Sequence, residues 1–147
     1  MTSIAAVTAL LLSLAPWASE RAAHQYAAAI VDAAGDDNRA ALALAVTAAR
    51  ESRLSLAPCP RGPGGAGGWQ LNPVLHPLTV ACGPLAVQAR RALAVLRRAG
   101  LGEAQFALVA GRYLGARARE RHPEARRRAQ LYVWAREVMA CRCSLER

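Results

Sequence analysis

Glu51 and Ser52 stand where a run of apolar residues ends, and Trp69-Gln70-Leu71-Asn72 stands where a run of glycines ends. From Leu42 to Ala49 the chain reads Leu-Ala-Leu-Ala-Val-Thr-Ala-Ala, followed by Arg50-Glu51-Ser52. A helix that is apolar on every side belongs in a core. On a helical wheel Glu51 lies over Leu44 and beside Thr47 and Ala48, because positions three, four and seven apart share a face. A carboxyl at the rim of such a helix is partly desolvated, which favours its neutral form. A carboxylic acid that stays protonated near neutral pH donates a proton to a leaving oxygen. The competing reading is a surface glutamate in a last turn, paired with Arg50 or Arg53.

Several elements must position these residues. Ser19 can cap a helix running to Ala34, with Glu20 in its first turn and Ala23, Tyr26, Ala27, Ile30, Val31 and Ala34 as its apolar stripe. Gly35 stops it, and Asp36-Asp37-Asn38 offers caps for the Glu51 helix. The short connection predicts that the two helices are packed neighbours, with Tyr26 or Ile30 against Leu42 or Val46. From Ala57 to Pro77 there is no periodicity, and six of the seven residues from Gly62 to Gly68 are Gly or Pro, which excludes a helix there. Further helices are expected over 84–99, with Leu85, Ala89, Leu93 and Leu96 inward, over 103–114, and over 122–140. In the last, His122 is a cap, Pro123 opens the first turn, and Ala125, Ala129, Tyr132, Ala135 and Met139 mark the core side. Hydrophobic residues make up 54% of the chain but aromatics only 5%, so the core is built of Ala, Leu and Val, a composition that favours helix. The expected fold class is mainly α, with at most a short hairpin near the glycines.

A helix ending in Glu-Ser, then a loop, then Gly-Trp-Gln-Leu-Asn-Pro resembles the lysozyme-like superfamily, in particular the lytic transglycosylases and goose-type lysozymes. The matching residues are Glu51, Ser52, Gly68, Trp69, Gln70 and Leu71. Ala107 to Gly115 is similar to that family's Ala-Tyr-Asn-Ala-Gly segment, with Leu114 where Asn is usual. His122-Pro123-Glu124 through Tyr132-Val133 is similar to its closing helix. The resemblance covers about residues 22–138. It implies a compact multi-helix lysozyme-like domain with a substrate cleft, here over residues 19–147, and cleavage of the β-1,4 bond between N-acetylmuramic acid and N-acetylglucosamine in peptidoglycan. It also implies the roles: Glu51 as general acid and then base, Trp69 as a sugar-stacking wall, and Ser52, Gln70, Asn72, Tyr113 and Tyr132 as glycan-binding residues. The carboxyl of Glu51 would then have to rise from about 4.3 to about 6. Two-carboxylate glycosidases need a second acid, yet the only acids between Glu51 and Glu124 are Glu103 and Glu120, neither near Trp69 in the chain. That favours the one-carboxylate route of the transglycosylases, in which the substrate's acetamido group supports the cation and its 6-hydroxyl closes a 1,6-anhydro product. The competing reading of Trp69 is a loop residue folded into the core, and that of Tyr113 and Tyr132 is core packing.

Composition narrows the remaining classes. Every basic residue is Arg, and the net charge is +9, which suits an anionic partner: nucleic acid, a membrane surface or a wall polymer. Phosphate-binding loops of the Walker type end in Lys-Ser or Lys-Thr, and the chain has no Lys, so no nucleotide is expected. Cys59, Cys82, Cys141 and Cys143 do not have zinc spacing, and His24, His76 and His122 show no ligand pattern, so neither metal nor other cofactor is expected. A bridge between Cys59 and Cys82 would shorten the glycine-rich loop; free thiols are the other reading. A Ser-His-Asp triad lacks its nucleophile elbow, and a Cys82–His76 pair has no supporting context. The arginines at 117, 119, 121 and 126–128 are either a solvated face or an anion-binding surface. Residues 1–18 are apolar, and a packed helix, a leader and an anchor all remain open, since no Arg precedes the run and about 14 residues are too few to span a bilayer. The site of action expected from the resemblance is the cell wall or periplasm. A small, monomeric lytic protein with a weak leader would suit a phage product, an endolysin. Two alternatives stay beside the enzyme: a non-catalytic wall-binding or phage structural module, and an Arg-rich helical nucleic-acid binder, the latter without a recognisable recognition helix.

Overall fold

The computed structural model describes residues 2–62, 64–115 and 121–145, with side chains up to residue 141. Among the described residues it is mainly helical, with seven helices and one two-stranded antiparallel sheet. The chain divides into two compact units, Met1–Leu93 and Ala94–Arg147, and the division falls within the fifth helix.

The first unit is built on α1 (Ile4–Leu14), α2 (Glu20–Ala34) and α3 (Asn38–Glu51), each packed against the other two. The caps are local and match the sequence. Ser3 Oγ accepts from Ala6 N, Ser19 Oγ from Ala22 N, and Asp37 Oδ1 from Ala40 N. Each satisfies one of the amide groups that the first turn of a helix leaves unpaired. Val7, Leu10 and Leu11 place α1 in the core, so the apolar N-terminal segment packs as a helix in this structure. The Thr2 hydroxyl donates to Asn38 Oδ1 and ties the start of α1 to that of α3. Every residue of α3 from Ala40 to Ala49 is buried. Its one polar member there, Thr47, donates to Ala43 O at 2.7 Å and so leaves no buried hydroxyl unpaired. Alanine on all sides lets α1 and α2 approach closely, and Tyr26 and Ile30 of α2 are fully buried in the same core.

After α3 the chain turns sharply. Arg53 and Leu54 both have left-handed backbone, with φ of 55° and 59°. Two-residue strands follow, β1 (Arg61–Gly62) and β2 (Gly65–Ala66), in antiparallel register, with Ala66 also bridged to Leu71. This is the short hairpin the composition allowed. A single-turn helix, α4 (Leu78–Ala81), lies just past the aperiodic stretch, in residues the sequence assigns to no element. Cys59 and Cys82 form a disulfide across this segment, 23 residues apart. In the chain-entropy picture a closure of that length is worth about 3.5 kcal/mol. It offsets part of the cost of ordering a stretch rich in glycine and proline.

α5 (Leu85–Arg98) begins in the first unit and ends in the second. The second unit adds α6 (Phe106–Tyr113) and α7 (Pro123–Leu145), which pack on one another. His122 Nδ1 accepts from Glu124 N at 3.2 Å and caps α7, as its place before Pro123 suggested. Ala125 and Ala135 are buried, and Tyr132 stacks on Phe106 with centroids 4.2 Å apart. Arg128 departs from both readings of the arginine run, the solvated face and the anion-binding surface. It is 3% exposed, with Nε 3.1 Å from Glu124 Oε1 one turn earlier, because its place on the helix turns it inward between Ala125 and Ala135. Arg126 and Arg127 are exposed. Arg117 and Arg119 lie outside the described residues.

Candidate functional site

Glu51 is the last residue of α3 and is half-buried, at the rim of the apolar helix. Ser52 is the C-cap of that helix. What ties this corner to the glycine-rich segment is Tyr26, whose importance the sequence did not disclose. Its hydroxyl donates to Ser55 O at 2.8 Å and lies 3.1 Å from Ser52 Oγ. With the phenolic proton committed to Ser55, the Ser52 hydroxyl is the donor of the second bond. The tyrosine ring lies against Trp69, centroids 5.2 Å apart and planes tilted by 45°. A Cβ added at Gly68 would meet Tyr26 Oη at 2.5 Å, so only glycine lets that backbone approach the phenol. Glu51-Ser52 and Gly68-Trp69, widely separated in the chain, are thus held to one tyrosine. Burial pushes the Tyr26 phenol above its usual value, and the hydrogen bond from Ser52 offsets part of that rise.

The expected sugar-stacking wall is not open. Trp69 is 0% exposed, and its indole N–H donates to Leu44 O at 3.1 Å. Stacking requires a free ring face, and this ring spends both faces in the core. Its role in this conformation is to pin the glycine segment to α3. The other expected glycan contacts are similarly committed. Gln70 Nε2 donates to Pro60 O and Gly67 O, both at 2.8 Å, from a left-handed backbone with φ 49°. Asn72 is exposed, and its Oδ1 accepts from Val74 N in a side-chain turn. Tyr113 and Tyr132 belong to the second unit, where Tyr113 ends α6 half-buried and Tyr132 stacks on Phe106. Cys82 is bridged to Cys59, so a Cys82–His76 nucleophile has no thiol to use.

A second residue that sequence reasoning missed is Gln88. It is 5% exposed; Oε1 accepts from Gly68 N at 2.7 Å, and Nε2 donates to Gly83 O at 2.6 Å. It therefore clamps the glycine segment to the start of α5. The available signal was a lone polar residue within the inward stripe Leu85, Ala89, Leu93. A buried amide at such a position must satisfy its donors and acceptor on nearby backbone.

Beside this cluster is a half-open cavity of about 330 Å³ whose wall includes Arg21, Gln25, Tyr26, Ser55, Gly68 and Gln88. Glu51 is not part of its lining. Among the described residues no group of three or more His, Cys, Asp or Glu side chains could hold a metal ion, and no helix is long and apolar enough to cross a membrane. Comparison of the chain with protein-family models, curated proteins and solved structures finds no match.

Proposed function

We propose that the protein cleaves the glycan strands of peptidoglycan at the β-1,4 bond between N-acetylmuramic acid and N-acetylglucosamine, with Glu51 as the proton donor. The observation that carries this reading is the junction at Tyr26. The Glu-Ser corner and the Gly-Trp-Gln segment, which resemble a lytic transglycosylase in sequence, are bound to the same phenol. Glu51 sits half-buried beside that junction, at the end of a helix buried from Ala40 to Ala49. In the proposed reaction Glu51 protonates the departing glycosidic oxygen, and the acetamido group of the muramyl residue supports the oxocarbenium-like centre. The Glu51 carboxylate then takes the proton of the 6-hydroxyl, which closes the 1,6-anhydro ring. The Cys59–Cys82 bridge suits a protein that works outside a reducing cytoplasm.

The test is mass spectrometry of the soluble products released from purified peptidoglycan by the protein and by Glu51→Gln. Anhydro-muropeptides should appear with the first and fall by at least 10²-fold with the second, the scale of a general acid's contribution. Reducing ends would make the enzyme a hydrolase of lysozyme type. No product from either protein would end the catalytic reading.

A second reading is a wall-binding module without turnover, favoured by Leu114, which stands where the resembling family has Asn. Trp69, Gln70 and Ser52 are spent inside the fold, so any glycan contacts in that reading lie elsewhere on the surface. That reading expects sedimentation with peptidoglycan sacculi and no products.

A further inference from the structure

The half-open cavity has a chemical character that the proposed reaction at Glu51 does not use. Arg21 and Gln25 stand one turn apart on α2 and both reach its wall. Among the described residues neither side chain has a hydrogen-bond or ion-pair partner. No Asp or Glu is among the lining residues, so nothing in the wall answers the guanidinium. The wall also includes Pro84 and Leu85, where α5 starts. The rest of the wall is largely fixed. The Cys59–Cys82 bridge holds one side, and buried Gln88 holds Gly68 N and Gly83 O. Leu56, Pro58 and Leu85 supply apolar surface. At about 330 Å³ the space lies at the small end of the range for small-molecule sites, room for a single ring and its substituents.

The geometry points to this cavity as a binding site for a carboxylate carried on an N-acetylated sugar ring, with Arg21 as the carboxylate's partner and Gln25 as partner of the ring's amide or hydroxyl groups. A guanidinium fork takes a carboxylate in two parallel charge-assisted bonds. A carboxamide one turn along the helix offers both a donor and an acceptor, which suits an acetamido group. The sugar's apolar face has Leu56 and Leu85 to cover. The choice of a muramyl ligand rests on the wall-polymer function proposed above; the unanswered Arg21 and the fixed, acid-free wall do not. The carboxylate has two sources, the lactyl ether of a free sugar acid or the stem peptide of the polymer.

Titration calorimetry of the whole chain with N-acetylmuramic acid, N-acetylglucosamine and N-acetylmuramoyl-L-alanyl-D-isoglutamine tests this. The acid should bind at least tenfold more tightly than N-acetylglucosamine, which has the same ring and no carboxylate. Arg21→Gln should bring the two together, and Arg21→Lys should restore part of the gap. Arg21 is exposed, so these variants keep the fold. Tighter binding of the free acid than of the dipeptide assigns the site to the lactyl carboxylate, and the reverse order assigns it to the stem peptide. Equal binding of the two simple sugars, or an Arg21→Gln variant that binds all three probes unchanged, overturns the proposal. Cleavage of peptidoglycan is measured on the same preparations. Carboxylate binding without cleavage of peptidoglycan would therefore remove the enzyme reading and leave the cavity assignment standing, while cleavage without Arg21-dependent binding would do the opposite.

Discussion

The two units share a helical, alanine-rich construction and differ in where their charge and their close contacts lie. Residues 1–93 carry seven Arg and five acidic residues, a net +2, while residues 94–147 carry twelve Arg and five acidic residues, a net +7. The first unit spends its sequence on backbone closeness. Gly65, Gly67, Gly68 and Gly83 each lie where a Cβ would strike backbone or a ring. The second spends its sequence on charge, and its Gly102 and Gly115 turn in open space with positive φ. Glycine thus means different things in the two. From Gly65 to Gly83 it is a packing residue, removed only at the cost of moving a neighbour; in the second unit, as at Gly35 in the first, it supplies a turn in open space. The candidate chemistry falls in the unit that is close-packed, where a fixed geometry is easiest to hold.

The sharpest way to break this contrast is to add one methyl group to each. In Gly67→Ala the new Cβ meets the Ala81 carbonyl oxygen from a backbone at φ +78°, and the expected loss is about 3 kcal/mol. Gly102→Ala, at φ +97° in open space, should lose about 1 kcal/mol. Urea denaturation of the two variants measures both, and equal losses would show that the glycine segment is not close-packed.

A second pair sharpens the meaning of the arginines. Arg128→Ala removes a buried partner of Glu124 and should cost about 2 kcal/mol, reduced from the cost of breaking a fully buried pair because Glu124 is partly exposed. Arg127→Ala, exposed on the same helix, should fall within about 0.5 kcal/mol of the parent. Similar melting temperatures for the two would refute the inward placement of Arg128.

Tyr26→Phe should lose less than Gly67→Ala or Arg128→Ala, about 1.5 kcal/mol from the lost bonds to Ser55 and Ser52. It carries a pH signature of definite sign. A phenol whose folded pKa is raised keeps its proton when folded and loses it more readily when unfolded. Its contribution to stability is therefore complete below about pH 10, the unfolded value, and is lost as the pH rises through the higher folded value. Denaturation midpoints measured across the alkaline range should fall more steeply for the parent than for Tyr26→Phe, and parallel slopes would rule out a buried phenol.

Much of the first unit was legible because its signals are local. Ser19 and Asp37 cap helices where hydroxyl and carboxylate side chains precede apolar runs, and the stripe Ala23, Tyr26, Ala27, Ile30 and Ala34 is buried as its spacing implies, while Val31 at its edge is half-buried. The long apolar stretch before Glu51 could only be a core helix. What stayed hidden depends on partners distant in sequence. Nothing near Tyr26 announces that its hydroxyl will meet Ser52 and Ser55, and nothing near Trp69 decides between a free ring face and a bond to Leu44 O. Both readings of Trp69 use the same residue type in the same loop; only the depth of the neighbouring helix separates them. α4 escaped notice because Leu78–Ala81 is a single turn, too short for periodicity to register. Gln88 went unread because burial of an amide depends on which backbone atoms lie opposite it.

Trp69 also gives the molecule an internal optical gauge. Of its three indoles, Trp17 is half exposed with the Arg53 guanidinium 4.7 Å above its ring, Trp134 is exposed midway along α7, and Trp69 alone is sealed from water. A sealed indole emits to the blue and resists quenching by dissolved iodide, and the Tyr26 ring 5.2 Å away lies within easy reach for passing it excitation energy. Any event that lifts the glycine segment from α3 would redden that emission and cut off the transfer together, so the state of the segment can be followed by light alone, with no label attached.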